Sequence, residues 1–231
     1  MSTVSDRTEG RLMRAKFIAI DGNDGAGKET QAKLLSEALK KRGEATLLIS
    51  FPRYEDTFFG QELRRALRGD YGAFGDINPY LASYPYAADR WISKPYIEVA
   101  LKSGIYVISD RYMSANQIHQ GGKISNVKER ERFLAWLDEL EYGQFKIPHP
   151  DISIYLDVPV SVSKRLMSTK TRDIVENSPK YLENSYRCAQ WLIKRHADEW
   201  MSVKCMQSRR LKSREEIHEE IMEGLRDRSV L

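Results

Sequence analysis

The sequence predicts an α/β fold, a doubly wound five-stranded parallel sheet flanked by helices and carrying a short lid. Three observations lead there. Short apolar runs of strand length alternate with amphipathic stretches of helical spacing along the chain. The first apolar run leads into a glycine-rich turn ending in Lys28 and continuing as helix, the setting in which backbone N–H groups cradle anionic oxygens. Finally, 231 residues with 41% hydrophobic and 10% aromatic content suffice for one core, so a single domain over residues 16–231 accounts for the chain.

Residues 1–15 begin with a polar stretch, Met1 to Arg14, that has no signal-peptide core, and are read as a flexible leader. Strands are expected at Lys16 to Asp21, Ala45 to Phe51, Ile105 to Ser109, Ile152 to Leu156 and Val203 to Met206. Ala32, Leu35 and Leu39 form one apolar stripe of a helix after the glycine-rich turn. Further stripes are Phe133, Trp136, Leu137 and Leu140, and then Ile217, Ile221 and Leu225 in a last helix opened by a capping box, Ser213 with Glu216. Pro148 and Pro150 mark a turn into the fourth strand. The polar segment at about 168–178, with Lys170, Arg172, Asp173, Glu176 and Asn177, reads as a mobile lid, a plain surface connection being the alternative.

Composition narrows the class. A net charge of +4 on 37 basic and 33 acidic residues suits an anion-binding enzyme and does not indicate nucleic acid. The basic cluster of Arg209, Arg210, Lys212 and Arg214 is read as a solvated face. Cys188 and Cys205 match no metal or redox spacing and the four histidines form no ligand pair, so a reduced, cytoplasmic setting is expected. No apolar stretch approaches membrane-spanning length, and no membrane partner is expected.

The turn itself reads Gly22-Asn23-Asp24-Gly25-Ala26-Gly27-Lys28-Glu29-Thr30. Its glycines let the backbone wrap around phosphate oxygens and Lys28 adds a point charge, which implies a nucleoside triphosphate. Glu29 stands where Ser or Thr normally holds magnesium, with Thr30 one residue late. As a hard oxygen ligand Glu29 could take Mg2+ itself, while its charge would oppose the phosphates.

In an open parallel sheet ligands collect beyond the carboxyl ends of the strands. There the chain carries Phe51-Pro52-Arg53-Tyr54 after the second strand and Asp110-Arg111-Tyr112 after the third, with Tyr86 and Asp89-Arg90 on the preceding helical stretch. Asp110 is the candidate magnesium-organising carboxylate, acting through water; a structural ion pair with an arginine is the alternative. The arginines bear on the acceptor. A hydroxyl acceptor wants a carboxylate base, whereas a phosphate acceptor is already a nucleophile that cations must hold against the donor. Arg53 and Arg111 therefore favour a nucleoside monophosphate as acceptor.

From Lys16 to about Leu225 the chain resembles the thymidylate kinase family of P-loop nucleoside monophosphate kinases, on the motifs already quoted together with Ala88-Asp89-Arg90, Gln120-Gly121-Gly122, Pro150-Asp151 and Asp157-Val158-Pro159. The resemblance implies the P-loop NTPase fold, phosphoryl transfer from ATP to dTMP giving dTDP and ADP, Mg2+, and a homodimer. By matching position, it implies that Tyr86 stacks on the base, Arg90 bonds its edge and Asn116 reads the pyrimidine face. It also sets Asp24, Phe51, Arg53, Tyr54 and Arg111 around the acceptor's phosphate and sugar, and Glu176 near the sugar and metal waters. A catalytic arginine comes in this family from the phosphate loop or the lid. The loop position here is Gly25, so Arg172 and Lys170 are the candidates, beside Lys28 and Arg111, with Arg165 behind them. His119 stands where an aromatic ring commonly blocks the ribose 2′-OH, which leaves sugar selectivity open. Alternatives are another pyrimidine monophosphate such as dUMP, a nucleoside acceptor, or a nucleotide-binding protein without turnover.

Overall fold

Four consecutive apolar residues, Phe17 to Ile20, are fully buried because both faces of their strand are covered, the pattern expected of a central parallel strand. The computed structural model describes residues 15–166 and 179–231. Five parallel strands, β1 (Phe17–Gly22), β2 (Thr46–Ser50), β3 (Tyr106–Asp110), β4 (Ile152–Asp157) and β5 (Trp200–Lys204), lie in the order β2-β3-β1-β4-β5. The helices are α1 (Lys28–Lys41), α2 (Phe58–Arg68), α3 (Pro79–Lys102), α4 (Met113–His119), α5 (Val127–Asp138), α6 (Val160–Leu166), α7 (Pro179–Arg195) and α8 (Arg214–Asp227).

Side-chain alternation splits the core in two. Ile18, Ile20, Ile108, Ile154 and Leu156 face Leu35 and Leu39 of α1 and Ile221 and Leu225 of α8. Phe17, Ala19, Val107 and Tyr155 face Ile97 of α3, Phe133 and Leu137 of α5, and Leu192 of α7. Each Ile, Leu, Val or Phe among them contributes about 1.5–3 kcal/mol on burial. Both free cysteines are packed in these cores, Cys205 in the first and Cys188 in the second.

Three local features depart from expectation. The last strand begins at Trp200, not Val203: Trp200 and Met201 are buried and pair with Ser153 and Ile154, although polar residues on either side hide the run. Met206 leaves the sheet for a hairpin of β6 (Met206–Gln207) with β7 (Arg210–Leu211). Helix α2 was not expected; Thr57 caps it by accepting from Gly60 N at 2.9 Å. A Cβ on Gly60 would stand 2.0 Å from the Arg53 carbonyl oxygen, so glycine lets α2 press against the turn after β2. The capping box of α8 is present, Ser213 with Glu216. Of the basic cluster, Arg210 bonds Glu216 at 2.7 Å and Lys212 bonds Glu220.

The register of β1 with β3 sets Ile20 opposite Asp110, and that of β2 with β3 sets Ser50 opposite Asp110. The ends of β1, β2 and β3 therefore deliver their following loops to one crevice.

Candidate active site

Gly22, at φ 155°, approaches β4 so closely that a Cβ would lie 3.0 Å from the Leu156 carbonyl oxygen. Gly27, at φ 91°, is the left-handed N-cap of α1, and the chain between them forms the loop. Asn23 ties the loop to β4's end by donating to Val158 O at 2.8 Å. Buried Lys28 bends back over the loop, its Nζ 3.1 Å from Gly22 O, 3.0 Å from Asn23 O and 3.6 Å from an Asp24 carboxylate oxygen. Helix N-terminus, wrapped backbone and ammonium together could hold an anion. Glu29 turns the other way; its side chain is 66% exposed and accepts from Lys33 Nζ at 2.6 Å.

Arg111 follows β3 in the left-handed region, at φ 63°, costly for a residue with a Cβ and characteristic of functional sites. Its backbone N–H donates to Ile20 O at 2.9 Å and its guanidinium to Asp24, across the mouth of the loop. Burial pushes the Asp24 carboxyl up, but Arg111 and Lys28 outweigh it and hold the group well below the usual carboxylate range. Burial lowers Lys28, and Arg111 lowers it further. One step inward, burial raises Asp21 to about 6, with Ser114 donating to its Oδ2. Burial also lowers His119 to about 4, so this imidazole is neutral at physiological pH; it stacks on Tyr181 at 5.8 Å and 12°.

From this charged end a cavity extends between α3 and α4, enclosing roughly 760 Å³ including its open mouth. Its lining includes Asp24, Arg111 and His119, Phe51 and Tyr54 of the turn after β2, and Tyr86, Arg90 and Asn116. Among the described residues, these are the ones the sequence singled out as acceptor-binding, with one exception. Arg53 is absent from the lining; its guanidinium lies 5.4 Å over the Tyr96 ring, 3.3 Å from Asp56 and 3.3 Å from Ser93 Oγ.

The thymidylate kinase family model matches residues 20–221 of the sequence. The chain belongs to the thymidylate kinase family. A probable thymidylate kinase of Pyrococcus abyssi is 34% identical over 212 residues, covering 91% of this chain and 95% of that protein. One from Thermococcus onnurineus is 37% identical over 187 residues, with 75% and 84% covered. The thymidylate kinase structure from Candida albicans superposes with a TM-score of 0.72 at 20% identity, over 94% of this chain and 93% of that one, and shares the fold. Membership makes the protein a kinase that phosphorylates dTMP with ATP as donor.

Several residues of this thymidylate kinase site were not anticipated as functional. Asp89, named only within its motif, accepts from Arg53 N at 2.8 Å and from the Thr57 hydroxyl, clamping the turn after β2 against α3. Glu141, fully buried on a π-helical turn (Glu139–Gln144), receives Arg90 Nε and Nη2 at 2.6 Å each and Asn116 Nδ2 at 3.3 Å. Phe74, Lys123 and Tyr181 also line the cavity. Nothing local marks these residues, which reach the site from elements far apart in sequence. Lys170, Arg172, Glu176 and the lid lie outside the described residues, as does the leader through residue 14.

For Mg2+ the donor chemistry is suitable. Asp110 Oδ1 at the end of β3 and Asp21 Oδ1 at the end of β1 are buried carboxylate oxygens without a hydrogen-bond partner among the described residues. Such oxygens suit a hydrated hard cation, which keeps most of its waters and uses few carboxylates. No group of three or more His, Cys, Asp or Glu side chains able to hold a metal occurs among the described residues. No helix among them is long and apolar enough to cross a membrane.

Proposed function

We propose that the donor triphosphate binds the loop Gly22 to Thr30 with Lys28 at its phosphates. The acceptor dTMP then lies in the cavity with its phosphate toward Arg111 and its base toward Arg90 and Asn116. The observation that carries this reading is one cavity lined both by Arg111, which bonds Asp24 of the loop beside Lys28, and by Tyr86, Arg90 and Asn116 of α3 and α4. Arg111 and Lys28 hold two phosphates that would otherwise repel, which supplies positioning and charge neutralisation, the main requirements of phosphoryl transfer. Asp24 keeps both cations charged and oriented. Tyr86 offers the base a ring face, and Phe51 and Tyr54 exclude water from the cavity wall.

When bound, Mg2+ neutralises charge on the transferring phosphate, and Asp110 would hold it through water. Glu29, directed at Lys33, is left out of this set. Arg172 and Lys170 are the lid residues proposed to bring the remaining positive charge, with Glu176 near the sugar. A homodimer is proposed through the outer stripe of α3, where Leu81, Tyr84, Ile92 and Val99 are all at least 42% exposed. A cytoplasmic location is proposed, consistent with two buried free thiols.

A second reading concerns the sugar. His119 is a neutral imidazole with Nδ1 unpartnered among the described residues, and such a group can bond a ribose 2′-OH. The test is ADP release with ATP and Mg2+ against dTMP, dUMP, UMP, dCMP, dGMP and thymidine. The expected result is preference for dTMP. UMP turnover equal to that of dUMP would favour the second reading, and silence throughout would overturn the kinase assignment.

A further inference from the structure

The Arg90–Glu141 pair is among the most deeply buried ionic contacts described, its side chains 2% and 0% exposed. Such a pair is a poor source of stability, because desolvating both charges offsets their attraction and an apolar pair of equal volume would serve as well. Its geometry constrains something else. Glu141 Oε1 accepts from Arg90 Nη2 at 2.6 Å and from Asn116 Nδ2 at 3.3 Å, so one carboxylate oxygen holds both proposed base-reading side chains.

The consequence for Asn116 follows from partner chemistry. Its two neighbours are the Glu141 carboxylate and the Ser83 carbonyl, each 3.3 Å away, and both are acceptors. Only the amide nitrogen can satisfy them, which leaves the carbonyl oxygen for the cavity that Asn116 lines. Arg90 is fixed in the same way. Its Nε and Nη2 edge is taken by Glu141 and Nη1 donates to Tyr112 O at 3.3 Å, so the remaining N–H groups on Nη1 and Nη2 are what it can offer a ligand. The pocket thus presents a donor and an acceptor whose identities neither side chain can exchange.

We propose that Glu141, itself outside the cavity lining, is a positioning residue that sets the donor–acceptor polarity of Arg90 and Asn116, and thereby selects pyrimidines with a 4-oxo group and N3–H over 4-amino pyrimidines. The inference rests on the base-reading assigned to Arg90 and Asn116 above. A 4-oxo base offers an acceptor to Arg90 and its N3–H to the Asn116 oxygen. A 4-amino base offers a donor to a donor and an acceptor to an acceptor, leaving buried groups unpaired on both sides. Glu141 makes this rejection rigid: with it replaced, the Ser83 carbonyl alone holds the Asn116 amide, which can then turn over and accommodate either base. The π-helical turn that carries Glu141 accords with this role, because such turns recur at functional sites.

The experiment measures kcat/KM for dTMP and dCMP on the same preparations of the parent, Glu141→Gln, Glu141→Asp and Asn116→Ala. Both acceptors see the same folded fraction, so the ratio is independent of any loss of stability. Glu141→Gln puts a donor where two donors point, and the dTMP-over-dCMP ratio should fall by at least about tenfold, through the acceptor KM with the ATP KM unchanged. Glu141→Asp keeps the charge one methylene further back and should lower the ratio less. Ratios within about twofold of the parent in both Glu141 variants, alongside a lowered ratio in Asn116→Ala, overturn the inference alone. An unchanged ratio in Asn116→Ala overturns the base-reading assignment and the inference with it.

Discussion

Asp21 is a buried carboxylate whose ionisation opposes folding of the ligand-free protein. Burial outweighs the Ser114 hydrogen bond and the attraction of Arg111 and Lys28, and raises the group from 3.8 to about 6. A raised carboxyl binds its proton more tightly folded than unfolded, so its contribution to stability is fully present below pH 3.8 and is lost as pH rises through about 6. The difference corresponds to roughly 3 kcal/mol at neutral pH. Asp21→Asn removes the charge, keeps an oxygen to accept from Ser114, and should recover much of that cost. For a domain of this size the gain translates to a rise in Tm of roughly 6 to 12 °C at pH 7.5. The assay is thermal unfolding of both proteins, free of nucleotide and metal, from pH 4 to 8. The advantage should shrink as pH falls through about 6 and be nearly gone at pH 4. Equal Tm at pH 7.5, or a gap that persists undiminished on acidification, would refute the reasoning. Because Asp21 Oδ1 is also one of the two buried unpartnered carboxylate oxygens among the described residues, the same substitution should raise the Mg2+ concentration needed for half-maximal rate, a stability gain at the expense of function.

Two further outcomes follow from the site. Arg111→Ala removes the cation proposed to hold the acceptor phosphate and should lower kcat/KM by about 10² to 10³-fold in a coupled ADP-release assay; near-normal turnover would show that Arg111 does not hold the acceptor phosphate. Glu29→Ala should leave the Mg2+ concentration for half-maximal rate within about twofold, since an exposed ion pair with Lys33 contributes little; a large increase, read from a metal titration, would restore Glu29 as a ligand.

Much of the sheet was legible because parallel strands buried on both faces leave apolar runs, uninterrupted in Phe17 to Ile20 and broken only by Ser153 in Ile152 to Leu156. The fifth strand was blurred at its start because Ser202, Lys204 and the preceding Asp198 and Glu199 break the run around Trp200 and Met201, and an edge strand tolerates exposed polar residues. Helix α2 was missed because half of it is polar and its amphipathic stripe of Leu63, Ala66 and Leu67 is short.

The sequence alone determined the phosphate loop, since glycine spacing before a lysine and a helix is a local backbone requirement. It likewise determined which loops reach the crevice, because ligand-facing residues of a parallel sheet follow the strands directly. Arg90, Asn116 and Arg111 could be named from it in advance. Only the tertiary structure decided how those side chains are held. The pairing of Arg90 and Asn116 through Glu141 joins residues separated by 51 and 25 positions, and the turning of Arg53 toward Tyr96 and of Glu29 toward Lys33 depends on side-chain partners. Hydrogen-bond direction and desolvation belong to the packed state; a string of residue types carries neither.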